Sequence, residues 1–145
     1  MDEKVGGTSS ETMVERLEAA VNSHDLEALV ACFAEDYENE TPAHPGRNFR
    51  GKAQVRQNWT QIFHFVPDLQ ARVTARSVQG NELWTEWEHQ GTRRDGTPHL
   101  MRGVVIFTIS AGLAVRARFY LEPVEHSTGD VDAAVRRQVV PETRR

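Results

Sequence analysis

Apolar positions follow a helical period in the first half of the chain and a strand period in the second. Met13, Leu17, Ala20 and Val21 form one stripe, which predicts a helix over about residues 9–22 opened by a Thr8–Glu11 capping box. Leu26, Leu29, Val30 and Phe33 repeat the stripe behind Asp25, a good N-cap, and predict a second helix over about 26–35. A third, over about 51–65, carries Val55, Trp59, Ile62 and Phe63 on one side and stops at Val66-Pro67-Asp68. Between the second and third helices, residues 37–41 (YENET) alternate and predict a short strand. Pro42 and Pro45 then force a loop.

From Leu69 the period falls to two. Strands are predicted over about 69–78, 82–90, 99–109 and 113–123, separated by Gly80-Asn81, an Asp95-Gly96 turn and Ser110-Ala111-Gly112. The order is helix, helix, strand, helix, then a four-strand meander. That is an α+β fold with helices on one face of a curved antiparallel sheet. Residues 1–8 are polar and are expected to be loose. Residues 9–123 form the domain, and 124–145 form a polar tail with a short helix over about 131–139 capped by Asp130, lying on the surface or on a partner subunit.

Alternation also sorts the strand residues by face. Leu69, Ala71, Val73 and Ala75 stand together, as do Leu83, Thr85, Trp87 and His89. Met101, Gly103, Val105, Phe107 and Ile109 form the next inward set, and Val115, Ala117, Phe119 and Leu121 the last. These sets should face the helices. The opposite face is expected to pair Glu86 and Glu88 with Arg102, Arg116 and Arg118 across strands. Trp84, Val104, Ile106 and Tyr120 are large and apolar for a wet surface, which points to a homodimer through this convex face. A one-residue slip in register would exchange the faces and send Glu86 and Glu88 inward.

The bulk properties narrow the partners. With 145 residues, 39% hydrophobic and 26% charged, the chain suits one globular domain. A net charge of −4 argues against nucleic acid or an anionic membrane as partner. A single cysteine, Cys32, excludes an intrachain disulfide and fits a reducing cytoplasm. No signal-peptide core or spanning apolar run is read. The six histidines are dispersed without metal-ligand spacing, and there is no Gly-rich phosphate loop, so neither a metal nor another cofactor is expected.

Several strings carry a family resemblance: VNSHDLEALVACFAEDYENETP, FRGKAQVRQNW, VPDLQARV, WEHQGTRRDGTP and RARFYLEP, within residues 12–123. They resemble the SnoaL-like branch of the NTF2-like superfamily, which also holds ketosteroid isomerases and limonene-epoxide hydrolases. The resemblance implies a cone-shaped α+β barrel around one deep pocket, commonly in a homodimer, with reactions that vary across the superfamily. The isomerase pattern of tyrosine and aspartate oxyanion donors and an aspartate base falls here on Leu17, Gly103 or Val104, and Thr41. The epoxide-hydrolase pattern falls on Asn39 and Thr41, then Trp87, His89 and Phe119. The acidic residue of SnoaL-type cyclases is also expected near Phe119. The container is kept and its carboxylates are gone.

What remains is one imidazole. His89 shares the inward face with Trp87 and is the candidate proton-transfer group. Tyr37, Asn39, Thr41 and Thr85 are candidate hydrogen-bonding groups, with His44 at the pocket mouth. Trp59, Phe63, Trp87, Phe107, Phe119 and Leu121 are the candidate apolar lining. Two functions fit: acid/base chemistry on an apolar cyclic or polyketide-like small molecule without a cofactor, or a non-catalytic ligand-binding or dimerisation module of the same fold.

Overall fold

The computed structural model describes residues 5–126 and 129–141. In chain order the elements are α1 (Val5–Ser23), α2 (Leu26–Val30), β1 (Phe33–Glu40), a 3-10 turn (Pro45–Arg47), β2 (Phe49–Arg50), α3 (Lys52–Phe65), β3 (Gln70–Gln79), β4 (Glu82–Thr92), β5 (Pro98–Ser110), β6 (Leu113–Pro123) and α4 (Val131–Val139). The strands make one six-stranded sheet in the order β2-β1-β6-β5-β4-β3. Helices α1, α2 and α3 pack on its concave face, giving the α+β cone.

The predicted stripes are the buried ones. Met13, Leu17, Ala20 and Val21 are sealed, with Val14 beside them, and Val55 is buried on α3. The turn joining α1 to α2 is a Schellman motif: Asp25 N–H donates to Ala20 O at 2.9 Å and His24 N–H to Val21 O at 3.1 Å. It requires a left-handed residue, and His24 takes φ 55°. The imidazole Nε2 lies 2.9 Å from Leu69 O and the ring stacks on Phe63 at 4.5 Å, contacts that offset the backbone cost. Asp25 then caps α2, accepting from Ala28 N–H at 3.1 Å. Edge strand β3 is covered by α1 side chains: Asn22 brackets the Ala71 peptide at 2.6 and 2.9 Å, and Glu18 accepts from Val73 N–H at 3.0 Å.

Several boundaries depart from the sequence reading. α1 opens at Val5 rather than at residue 9, so the Thr8–Glu11 box does not mark its start, and residues 5–8 are helical. Residues 1–4 lie outside the described set, as do 127–128 and 142–145 of the tail. α2 ends at Val30, because Cys32 O accepts from Ala114 N–H at 2.9 Å and draws the chain into the sheet. Phe33 therefore begins β1. β1 runs parallel to β6, since α3 and most of the sheet intervene between them in sequence. The short β2 has too few residues to show a period.

Two bulges alter the face assignments. One at Thr74 places Ala75 beside Glu86 on the convex face and turns Arg76 and Val78 toward α1, where Arg76 reaches Glu15 at 3.9 Å. The other, at Val115, puts Ala114 rather than Val115 in the core. The register of β4 is otherwise as predicted: Leu83, Thr85, Trp87 and His89 are buried in succession. The convex ion pairs are regrouped. Glu88 bridges Arg72 (2.8 Å) and Arg102 (2.9 Å), Arg118 meets Glu82 (3.7 Å), and Arg116 meets Glu40 of β1 (2.7 Å). Glu86 takes the Thr74 hydroxyl at 2.7 Å in place of an arginine. Ile106 is buried within the subunit, whereas Trp84 and Tyr120 are 42% and 43% exposed.

α4 matches its expected span, and Asp130 caps it by accepting from Ala133 N–H at 2.8 Å. Val131, Val135 and Val139, four apart, stand exposed along it. No helix of the described residues is long and apolar enough to cross a membrane.

Candidate functional site

Four polar side chains are buried in the described chain: Asn39, Thr41, Thr85 and His89. Burying such groups without partners is costly, so the place where each finds one is informative. Thr85 is satisfied inside the protein. Its Oγ1 donates to Val105 O at 2.6 Å and accepts from Trp87 Nε1 at 2.7 Å. The other three line one cavity of about 310 Å³ between α3, β1 and the concave face of β4–β6.

Within it, Asn39 Oδ1 accepts from Tyr37 Oη at 2.7 Å, which leaves the Asn39 amide N–H groups for the cavity. The Thr41 backbone N–H is held by Asn48 Oδ1 at 2.7 Å, and its hydroxyl makes no hydrogen bond among the described residues. Neither does the His89 imidazole. Its ring stands edge-on to Trp87 at 5.7 Å and tilted against Trp59 at 6.1 Å. Burial, which penalises the charged form, lowers its pKa from 6.5 to about 4, with a smaller contribution from the charge of His99. Near neutral pH His89 is thus an uncharged ring with one N–H and one lone pair. Burial also raises the Tyr37 phenol well above its ordinary value, so it stays a donor.

Among the predicted site residues, Tyr37, Asn39, Thr41, Trp59, His89, Phe119 and Leu121 come together around this cavity. Trp87 and Phe107 line an adjoining apolar crevice of about 30 Å³, which also touches Trp59, His89 and Leu121. Three others do not line it. Thr85 is consumed by Trp87 and Val105, Phe63 packs on His24, and His44 pairs with Glu122 at 3.3 Å. Glu86 and Glu88 face away from it; two guanidinium partners hold the Glu88 carboxyl below its usual range.

Sequence reasoning missed Arg47, Asn58 and His99, which line the cavity beside Met101, a residue of the predicted inward set. Two carried a signal. Asn58 sits three residues after Val55 and four before Ile62 on the inward side of α3, and His99 precedes Met101 by two on β5. Arg47 carried none, because a loop has no period. A second hollow, between α2 and α3, is lined by Glu27, Arg56, Glu35 and Lys52, charges that pair with one another. No group of three His, Cys, Asp or Glu among the described residues is placed to hold a metal ion.

A family model described as SnoaL-like domain matches residues 14–117. The chain belongs to the SnoaL-like family. Solved structures share its fold. An LEH-like epoxide hydrolase of Mycobacterium tuberculosis superposes with a TM-score of 0.69 at 16% identity, over 79% of this chain and 84% of the other. RV0760c of the same organism, solved with estradiol-17beta-hemisuccinate, gives 0.67 at 20% identity over 77% and 92%. IdmH of Streptomyces antibioticus, a candidate polyketide cyclase, gives 0.67 at 23% identity over 77% and 91%. At these identities the likeness is one of fold. No curated protein matches this SnoaL-like chain significantly.

Proposed function

We propose that this SnoaL-like protein binds an apolar cyclic or polyketide-like small molecule in the β1–α3–β4 cavity, and that His89 exchanges a proton with it. The observation that carries the reading is the distribution of buried polar groups. Three of the four, Asn39, Thr41 and His89, border the cavity with hydrogen-bonding capacity left over, and the fourth is satisfied elsewhere. Trp59, Phe119 and Leu121 supply an apolar wall against which a ring system fits. The fold relatives, which include an epoxide hydrolase, a candidate cyclase and a steroid-ester complex, support a small-molecule ligand.

In the proposed reaction, the neutral His89 ring accepts a proton from carbon next to a ligand carbonyl. Asn39 and Thr41 hold the oxygen on which charge develops. The imidazolium so formed is a stronger acid than an ordinary one, with a pKa of about 4, and returns the proton readily. The same low value makes the ring a weak base, which favours a second reading: His89 only hydrogen-bonds a ligand, in a non-catalytic binding module. Exchange of the α-protons of 1-tetralone in D2O, followed by NMR, separates the two. Exchange above background that His89→Ala abolishes supports catalysis. Binding without exchange supports the module, and exchange unaffected by His89→Ala contradicts the assigned role.

Trp84 and Tyr120, exposed on the convex face and rimmed by the Glu82–Arg118 and Glu88–Arg102 pairs, support a homodimer through that face. A single buried cysteine, Cys32, suits a reducing cytoplasm as the location.

A further inference from the structure

Every lining residue of the cavity that holds His89 is buried or half-buried except one. Arg47 is exposed and marks the mouth. Its guanidinium makes no hydrogen bond or ion pair with any described residue. Two carboxylates of β1 are engaged by other arginines, Glu38 by Arg50 and Glu40 by Arg116 at 2.7 Å. No carboxylate lines the cavity. Arg47 is therefore the one uncompensated charge facing an otherwise apolar and neutral-polar space.

The loop that carries it is fixed. His44 N–H donates to Thr41 O at 2.8 Å, Arg47 N–H to His44 O at 2.9 Å, and Asn48 N–H to Pro45 O at 3.1 Å. Asn48 Oδ1 in turn takes the Thr41 N–H at 2.7 Å. A cation on a hydrogen-bonded turn loses less freedom on binding than one on an open loop.

We infer that the ligand carries a carboxylate on its apolar body and that Arg47 binds this group at the cavity mouth. The inference rests on the small-molecule reading above and narrows its substrate class. A single planar guanidinium matches a single-charge planar carboxylate by two parallel N–H···O bonds. A phosphate ester would call for a second cation, and Arg47 is the only arginine or lysine in the lining. Docked this way, the carboxylate stays near water, while the rings lie against Trp59 and Phe119 and reach toward His89.

The test is calorimetric titration of the full chain at low salt with 2-naphthoate, 2-naphthamide and 2-naphthyl phosphate. The carboxylate is expected to bind about tenfold tighter than the amide, as for one charge-assisted pair. Arg47→Gln should erase that preference with a much smaller effect on the amide, Arg47→Lys should keep part of it, and added salt should weaken the carboxylate most. Equal binding of acid and amide, or a preference that survives Arg47→Gln, overturns the inference while leaving the pocket reading intact. Tighter binding of the phosphate overturns the carboxylate assignment. Binding of none of the three sinks the pocket reading and this inference together.

Discussion

Trp87 and His89, two residues apart on β4, meet edge to face with ring centroids 5.7 Å apart and planes at 85°. The period-2 geometry of a strand places them on one side, and the tryptophan is locked there by Thr85, the preceding inward residue. Three consecutive inward positions thus form a unit: a hydroxyl that fixes an indole, an indole that dries an imidazole, and an imidazole left facing the cavity.

The dried imidazole gives stability a pH signature. The folded pKa of His89, about 4, lies below its ordinary 6.5, so between these values the unfolded chain holds more protons than the folded one. Stability is full above 6.5 and falls as pH drops through the window. The loss from this residue is on the order of 3 kcal/mol by pH 4. Half-buried His99, also lowered, adds in the same direction. His89→Gln removes the larger contribution, so its urea midpoint should change less than the wild-type midpoint between pH 7 and pH 4.5. Parallel curves would show that His89 is not buried neutral.

Removing the Thr85 hydroxyl leaves Trp87 Nε1 buried without an acceptor. Thr85→Val keeps the shape and should cost about 1–3 kcal/mol, the penalty for an orphaned buried donor. Chemical denaturation of the variant checks this, and a change below about 0.5 kcal/mol would mean the indole finds another partner.

At Gly103, opposite both Trp87 and Leu121, φ is 154° and an added Cβ would stand 2.1 Å from Tyr120 O and 2.8 Å from Leu121 Cα. Those are backbone atoms and cannot step aside. Gly103→Ala should therefore destabilise by about 2 kcal/mol or more, or prevent folding, whereas Gly46→Ala, with open space at its Cβ, should be near neutral.

The exposed pair Trp84 and Tyr120 gives the proposed dimer a direct check. Trp84→Glu puts a charge into the apolar centre of the proposed interface, and sedimentation velocity should show the wild-type dimer replaced by monomer. A wild-type protein that sediments as a monomer at micromolar concentration contradicts the interface.

The sequence exposed the parts of the fold that have a period. The stripe from Met13 to Val21 and the alternation from Leu83 to His89 each mark a buried face, because one side of each element must be covered. The bulges at Thr74 and Val115 were not legible, since an extra residue leaves the composition of a strand unchanged while reversing its faces. Phe33 read as helical because its spacing continued the α2 stripe, and only the bond from Ala114 to Cys32 explains the earlier switch to strand. At the site, His89, Asn39 and Thr41 followed from alternation. Arg47 did not, since its place at the mouth depends on hydrogen bonds within its loop.

Under the proposed function, a ligand in the cavity meets a neutral His89. Ring-nitrogen NMR of the histidine-labelled protein at pH 6, titrated with 1-tetralone, tests it most directly. The expected result is a His89 ring already uncharged without ligand, whose nitrogen resonances move on addition while those of exposed His64 stay fixed. A charged His89 at that pH, or a ligand that binds and leaves its resonances in place, would contradict the claim.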